Sequence, residues 1–523
     1  MFHLAKHQLP WLGLLVLFIS TQFIRWPEPL GIDQSLFACF GLWLPQGDIP
    51  YLDLWDSKPP AIFYLYALTF GLFGPDAASV RIMDGLATGA GALLVYYLGC
   101  RFGRAAGLWA AAAHLFFANM PGFTGLWSSA QAETFIGPFV ALALLVVTNG
   151  RSRPLALFAA GLLLGLAGLF KVPALLFVLP IGLYLGSGKD IRGLLWFVGG
   201  VPVLPLLAVL YFWHQDVLSL FYEAVFSYSI LYREGAVPVE FWSVSVQVLR
   251  TFIAECTLFW VLSVLGGAQL IFKRLGQGRE NGNGCLVILI LSWWVCAYAV
   301  VWGQGQFAVY HFLLLLAPSA LLSGIGLQKI GVEVRTPGPG RWLWGLGLGG
   351  ILLLVGLLDV PGYVRLYSPN MRYLAGQIDE PTFLQHPWQG ASAPQRDQEV
   401  GNYIAAHSAP DETILVWGLA PAVYFYAGRR PATRYIFHHL LLTDAPISLQ
   451  LPGLVQRQIE FIQELEQHPP AYILVGRDDQ NQFEPRDSYE QMRRFSAFHH
   501  FVQKNYIPDQ AWVGLLIYRR VPD

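Results

Sequence analysis

Charge is what this 523-residue chain has least of. Only 13% of its residues are Asp, Glu, Lys or Arg, while 55% are hydrophobic. Soluble domains carry about a quarter charged residues, so much of this surface must face something other than water. Mean hydropathy is +0.46. The 33 basic and 34 acidic residues nearly cancel to a net charge of -1, which excludes the global basic field that nucleic-acid binding needs. Cysteine is scarce too. Cys39, Cys100, Cys256, Cys285 and Cys296 contain no C-x-x-C pair, which argues against a disulfide framework or a zinc site.

Apolar runs dominate instead. A helix needs about 20 apolar residues to cross a hydrocarbon core. Candidate spans are 9–26, 78–100, 104–120, 132–149, 154–170, 172–188, 192–213, 248–272, 284–303, 309–327 and 342–360. The first follows Lys6 and ends at Arg25-Trp26-Pro27 with no small-residue cleavage site, so it reads as a retained span rather than a signal peptide. With the N-terminus in the cytoplasm, the cytoplasmic turns collect Arg101, Arg104, Arg151, Arg153, Lys189, Arg192, Lys273, Arg274, Arg279, Lys329, Arg335 and Arg341. The opposite turns hold almost no Lys or Arg. This positive-inside pattern predicts an odd number of spans and a C-terminal tail outside. The 18 Trp suit interfacial belts.

Two outside segments are long. Residues 25–77 contain amphipathic stretches around 34–45 and 60–74, the second bounded by Pro59-Pro60 and Gly74-Pro75-Asp76 and expected to lie in the interface. The other covers 214–247. After residue 360 charge returns. "TILVWG" (413–418) and "AYILVG" (471–476) read as buried strands, 453–467 as a helix between them, and "AWVGLLIYRR" (511–520) as a last strand. The expected organisation is a membrane domain of about eleven helices over 1–360 and an extracytoplasmic α/β domain over 361–523.

Ionisable residues gather on the outer side. Asp33, in "GIDQ", follows the first span. A partly desolvated carboxylate there suits a general base, and the position equally suits a helix N-cap. "YLDLWDSKPPAIFYLYAL" (51–68) brings Asp53, Asp56 and Lys58 ahead of two prolines and an aromatic helix. Lys58 is a point charge able to hold a phosphate, or the partner of an exposed Asp. Glu133, in "SSAQAETFIGPF", opens a span, where a carboxylate is functional by default unless Ser128 or Ser129 draws it into a cap. Lys171 in "LFKVP" either snorkels or binds an anion. Arg81 begins the second span on the same side, and His311 in "VYHFLLLLAP" is a donor to phosphate, a metal ligand or a satisfied interfacial histidine.

These residues carry a resemblance. Asp33, then "GDIPYLDLWDSKPPAIFYLYALTFGLFG", "ASVRIMDGLATGAGALLVYYLGCRFGRAAGLWAAAA", Glu133, "VYHFLLLLAPSALL" and "ILVWGLAPAVYFYAGRRPATRYIF" resemble the polyprenyl-phosphate-sugar-dependent glycosyltransferases of the GT-C superfamily, among them protein O-mannosyltransferases and lipid A aminoarabinose transferases. Many members have Asp-Glu in the first loop where this chain has Asp33-Gln34. The resemblance implies an inverting transfer from a polyprenyl-phosphate sugar to a protein, lipid or glycan acceptor. Asp33 would be the catalytic base. Lys58, Arg81, Lys171 and His311 would hold the donor phosphate. Asp56 and Glu133 would orient substrate or hold a divalent cation. It also implies that Asp33, Lys58 and Glu133 share one pocket, in a multi-pass protein of the inner (plasma) membrane. A transporter or flippase of lipid-linked saccharides is the competing reading. It would place its charges at the membrane midplane and show an inverted repeat. A phosphoethanolamine-type transferase would need more ligands than His438-His439.

Overall fold

The computed structural model describes residues 8–120, 123, 128–150, 153–231, 241–276, 283–305, 307–338, 341–354, 357, 359–386, 393–442, 452–480 and 486–521. Lys6, Arg151, Arg279 and part of the 214–247 segment lie outside them. The contacts divide the chain into two units. One comprises Met1–Pro27, Arg81–Val209 and Val239–Ala375; the other comprises Glu28–Val80, Leu210–Pro238 and Gly376–Asp523.

The first unit is helical. Among the described residues, five helices in the chain are long and apolar enough to cross a membrane: Ala77–Gly99, Ala132–Asn149, Ile191–His214, Gly284–Gln304 and Val309–Arg335. Shorter apolar helices occupy other expected spans, including Leu9–Arg25, Pro154–Phe170, Val172–Ser187 and Trp342–Ile351. The span expected at 248–272 is not one helix. Trp242–Glu255 and Thr257–Phe272 meet at 96°. The first of them exposes Ser243, Gln247, Arg250 and Glu255, so it cannot continue as an all-apolar rod.

Burial separates the roles of these helices. The apolar window of Val309–Arg335 is 83% buried and that of Ile191–His214 only 17%, so the former lines the interior and the latter presents Leu206, Leu207 and Leu210 outward. Without a hydrophobic drive between helices in lipid, close approach of small residues and shared polar contacts hold a bundle. Both occur here. A Cβ on Gly324 would collide with the Ala106 carbonyl and with Ala110, and one on Gly266 with the Leu322 carbonyl. Beside them Ser263 Oγ donates to the Ser319 carbonyl at 3.0 Å and meets Ser323 Oγ at 3.1 Å.

The second unit is built on a four-stranded sheet, β1 (Ile414–Trp417), β2 (Tyr472–Gly476), β3 (Tyr506–Trp512) and β4 (Leu515–Arg520), in the order β1-β2-β4-β3. β1 and β2 pair in parallel, with Leu415 opposite Ile473, and both are wholly buried. The connection between them carries the Leu454–Gln467 helix. β4 runs antiparallel to β2 and to β3. The expected single strand 511–520 is therefore two strands. Gly514 has φ +76°, a left-handed conformation that lets the chain turn back between Trp512 and Leu515. Two helices of the 28–80 segment, Ile32–Trp43 and Ala61–Phe73, belong to this unit. They stack Phe40 on Phe63 with centroids 3.9 Å apart. The segment meets the C-terminal part through Trp55 N–H to the Arg434 carbonyl at 2.9 Å and an Asp48–Arg430 ion pair.

Candidate functional site

In the helical unit Glu133, Lys171 and His311 come together from three separate segments. Glu133 lies in the first turn of Ala132–Asn149, a helix whose N-cap Gln131 makes no side-chain cap bond. Its side chain is 1% exposed. Lys171 ends the Pro154–Phe170 helix in extended backbone, just before Pro173 starts a 3-10 turn. That break aims its ammonium at Glu133 Oε1, with which it forms a short ion pair, and over the Tyr310 ring at 5.4 Å. His311 sits in the 3-10 turn Val309–Phe312 that leads into Leu313–Arg335, and its Nε2 lies 3.9 Å from the same Oε1. A carboxylate this buried is held only where cations offset its lost hydration.

A second buried pair lies beside it. Arg25 and Asp84 meet at 3.0 Å, each side chain 5% exposed. Asp84 Oδ1 also accepts the Ala130 N–H at 2.6 Å, and Arg81, one turn earlier, donates to Ser129 Oγ. Ser129 therefore receives Arg81, and the N-cap of the Glu133 helix is Gln131. A small cavity is lined by Arg25, Asp84, His114, Ser128 and Glu133 among others. Arg25, Asp84 and His114 did not stand out in the sequence reading. Asp84 was findable as an ionisable residue inside an apolar span.

The second unit holds Asp33, Asp56 and Lys58. Asp33 is in the first turn of Ile32–Trp43, where the helix dipole favours a negative charge. The N-cap itself is Gly31. Asp56 is buried; its Oδ1 accepts the Ser57 N–H at 2.6 Å, and its Oδ2 lies 3.7 Å from Lys58 Nζ. Burial pushes the Asp56 carboxyl above its ordinary range; Lys58 opposes the shift, and the charge of Asp33 adds to it. Lys58 also stands 4.8 Å over the Phe37 ring, while its carbonyl accepts the Tyr51 hydroxyl at 2.8 Å. Asp53 has a turn role, accepting the Ile49 N–H at 2.7 Å.

Among the described residues, no three His, Cys, Asp or Glu side chains are grouped so as to hold a metal ion. His438 is buried with Nε2 2.7 Å from Gln491 Oε1, and His439 packs against Trp55 and Tyr228, so the pair is built into the sheet domain. Chemically, the two clusters offer carboxylates beside cations: groups able to take a proton, orient hydroxyls and hold an anion.

Residues 57–213 match the family described as dolichyl-phosphate-mannose-protein mannosyltransferase. No curated protein matches the chain by sequence. Among solved structures, ArnT from Cupriavidus metallidurans bound to undecaprenyl phosphate is 16% identical, with a TM-score of 0.59 over 98% of this chain and 97% of that one. The apo form of the same protein gives 14% identity and a TM-score of 0.57 over 98% and 97%. An oligosaccharyltransferase from Archaeoglobus fulgidus in complex with an inhibitory peptide and a dolichol-phosphate gives 12% identity and a TM-score of 0.51 over 99% and 75%. The resemblance to GT-C glycosyltransferases thus holds in a sequence segment and in the fold of a multi-pass membrane protein.

Proposed function

We propose that this GT-C-fold chain transfers a sugar from a polyprenyl-phosphate carrier to an acceptor at the extracytoplasmic membrane face, with inversion at the anomeric carbon. The observation that carries the reading is the junction of Glu133 with Lys171 and His311. It brings a buried carboxylate and two anion-binding groups to one place in a membrane unit. Two structural neighbours bound to undecaprenyl phosphate or dolichol-phosphate support the donor class.

The reaction is a single displacement. Asp33 takes the proton of the acceptor hydroxyl or amine as that atom attacks the anomeric carbon. The bond from this carbon to the phosphate oxygen breaks, and its electron pair leaves with the lipid phosphate. Lys58, Arg81, Lys171 and His311 stabilise the charge that develops there. Lys58 and Lys171 rest on Asp56 and Glu133. A phosphate would compete for them, leaving Asp56 and Glu133 to orient sugar or acceptor hydroxyls.

The test uses the full chain in nanodiscs with a radiolabelled polyprenyl-phosphate sugar and membrane acceptors. D33N is expected to lower transfer at least ~100-fold, the worth of a general base. Full activity in D33N would remove Asp33 from the role. Movement of label across a vesicle without its transfer would support the flippase reading instead.

A further inference from the structure

We infer that Asp84 is a positioning residue for Glu133, acting through the backbone of Ala130. This rests on the proposed transferase role of Glu133.

Asp84 lies in an apolar membrane helix, Ala77–Gly99, where a carboxylate is costly. It is nevertheless bound at both oxygens: Oδ2 meets Arg25 at 3.0 Å and Oδ1 takes the Ala130 N–H at 2.6 Å. Ala130 has φ +50°, a conformation that a non-glycine residue adopts only when its surroundings impose it. Glu133 follows three residues later, in the first turn of the next helix. The N-cap of that helix, Gln131, makes no side-chain cap bond. The preceding turn is held from one helix, Ser129 by Arg81 and Ala130 by Asp84. Arg81 and Asp84 are one turn apart on one helix face, so the pair grips two consecutive residues of the turn. Lys171 and His311 both meet Glu133 Oε1, so a shift of Ala130 would move the carboxylate on which both side chains converge. Arg25 is the ion-pair partner that faces the buried Asp84 carboxylate. A neutral acceptor could satisfy one N–H, but a carboxylate does so with a shorter, charge-assisted bond.

The experiment compares R25Q/D84N with R25Q/D84L in nanodiscs, each with and without E133Q. Both pairs remove the buried charges; only asparagine keeps an acceptor for Ala130. R25Q/D84L is expected to lose about 30-fold in kcat relative to R25Q/D84N, with KM changed less than about threefold. E133Q should then cost much less in the leucine background than alone, because residues acting as a unit are non-additive. D84E keeps the charge facing Arg25 but displaces the acceptor by one methylene. It stands in where leucine does not fold, and the same lowered kcat and non-additivity are expected. Equal kcat in the asparagine and leucine variants, or strictly additive effects of E133Q, would overturn the proposal. Undecaprenyl monophosphate binding to the unmodified protein separates the two levels. Absent binding and absent transfer sink the transferase reading, and this inference with it. Intact transfer with additive effects sinks only the positioning role.

Discussion

The buried carboxylate of Glu133 has one partner that still reaches water, Lys171, and one that does not, His311, and that difference predicts how substitutions behave. Glu133 is 1% exposed and Lys171 20% exposed. Removing the lysine leaves a buried anion beside His311; removing the anion leaves a cation that can still be hydrated. K171M is therefore expected to destabilise the protein by about 3 kcal/mol and E133Q by about 1 kcal/mol. Thermal unfolding of the two variants in the same detergent checks the order, and a larger loss in E133Q would contradict it. Asp56 makes a pH-dependent case. Burial raises its folded carboxyl above 3.8. The folded state then binds the proton more tightly than the unfolded chain. The contribution to stability is fully present at low pH and is lost as pH rises through the raised value. D56N should flatten that decline when unfolding midpoints are measured from about pH 4 to pH 7. An unchanged slope would show that Asp56 does not titrate in this window. Asp56, Lys58 and Glu133 were legible as candidates because each interrupts an apolar or aromatic context. Arg25 was read only as the residue closing the first span, and its pairing with Asp84 is a contact through space that no spacing along the chain announces.

Elements here meet through small residues and shared hydroxyls. At Gly324 the Leu313–Arg335 helix touches the Arg104–Phe117 helix so closely that any side chain meets the Ala106 carbonyl. Neither backbone can withdraw without unpacking the helix whose apolar window is 83% buried. G324V is expected to cost about 3 kcal/mol or more and to lower the yield of folded protein, whereas the same change at Gly345, which has nothing within 4 Å, should be tolerated. Folded yield by size-exclusion chromatography, measured on both, decides it; equal yields would refute the close-packing account. Strands β1 and β2 and the Leu454–Gln467 helix were readable from short apolar runs and helical spacing. The β3–β4 hairpin was not. Its outer strand alternates little, and the reversal depends on the left-handed backbone of Gly514, which a lone glycine in an apolar run does not reveal. The bend between Trp242–Glu255 and Thr257–Phe272 was missed because hydropathy averages over a window and hides which face of a helix the polar residues share.

At the scale of the whole molecule, the arginine-rich turns predict orientation. If Arg101, Arg104, Lys189 and Arg192 face the cytoplasm, the sheet-bearing tail faces out. An export-dependent reporter enzyme fused after Asp523 should be active and a cytoplasm-dependent one silent; the reverse would invert the proposed side of the reaction. The contacts also regroup the chain. The 28–80 segment, with Asp33, Asp56 and Lys58, clusters with the C-terminal sheet, while Arg81, Glu133, Lys171 and His311 cluster with the membrane helices. What the sequence by itself determined is which segments leave water and where charge interrupts them, because transfer free energy adds residue by residue along a run. Which cation takes which carboxylate, and which loop joins which domain, only the tertiary structure decided. Pairings such as Arg25–Asp84 and Lys171–Glu133 join residues far apart in the chain, and their free energy depends on distance and burial, quantities that exist only once the chain has folded.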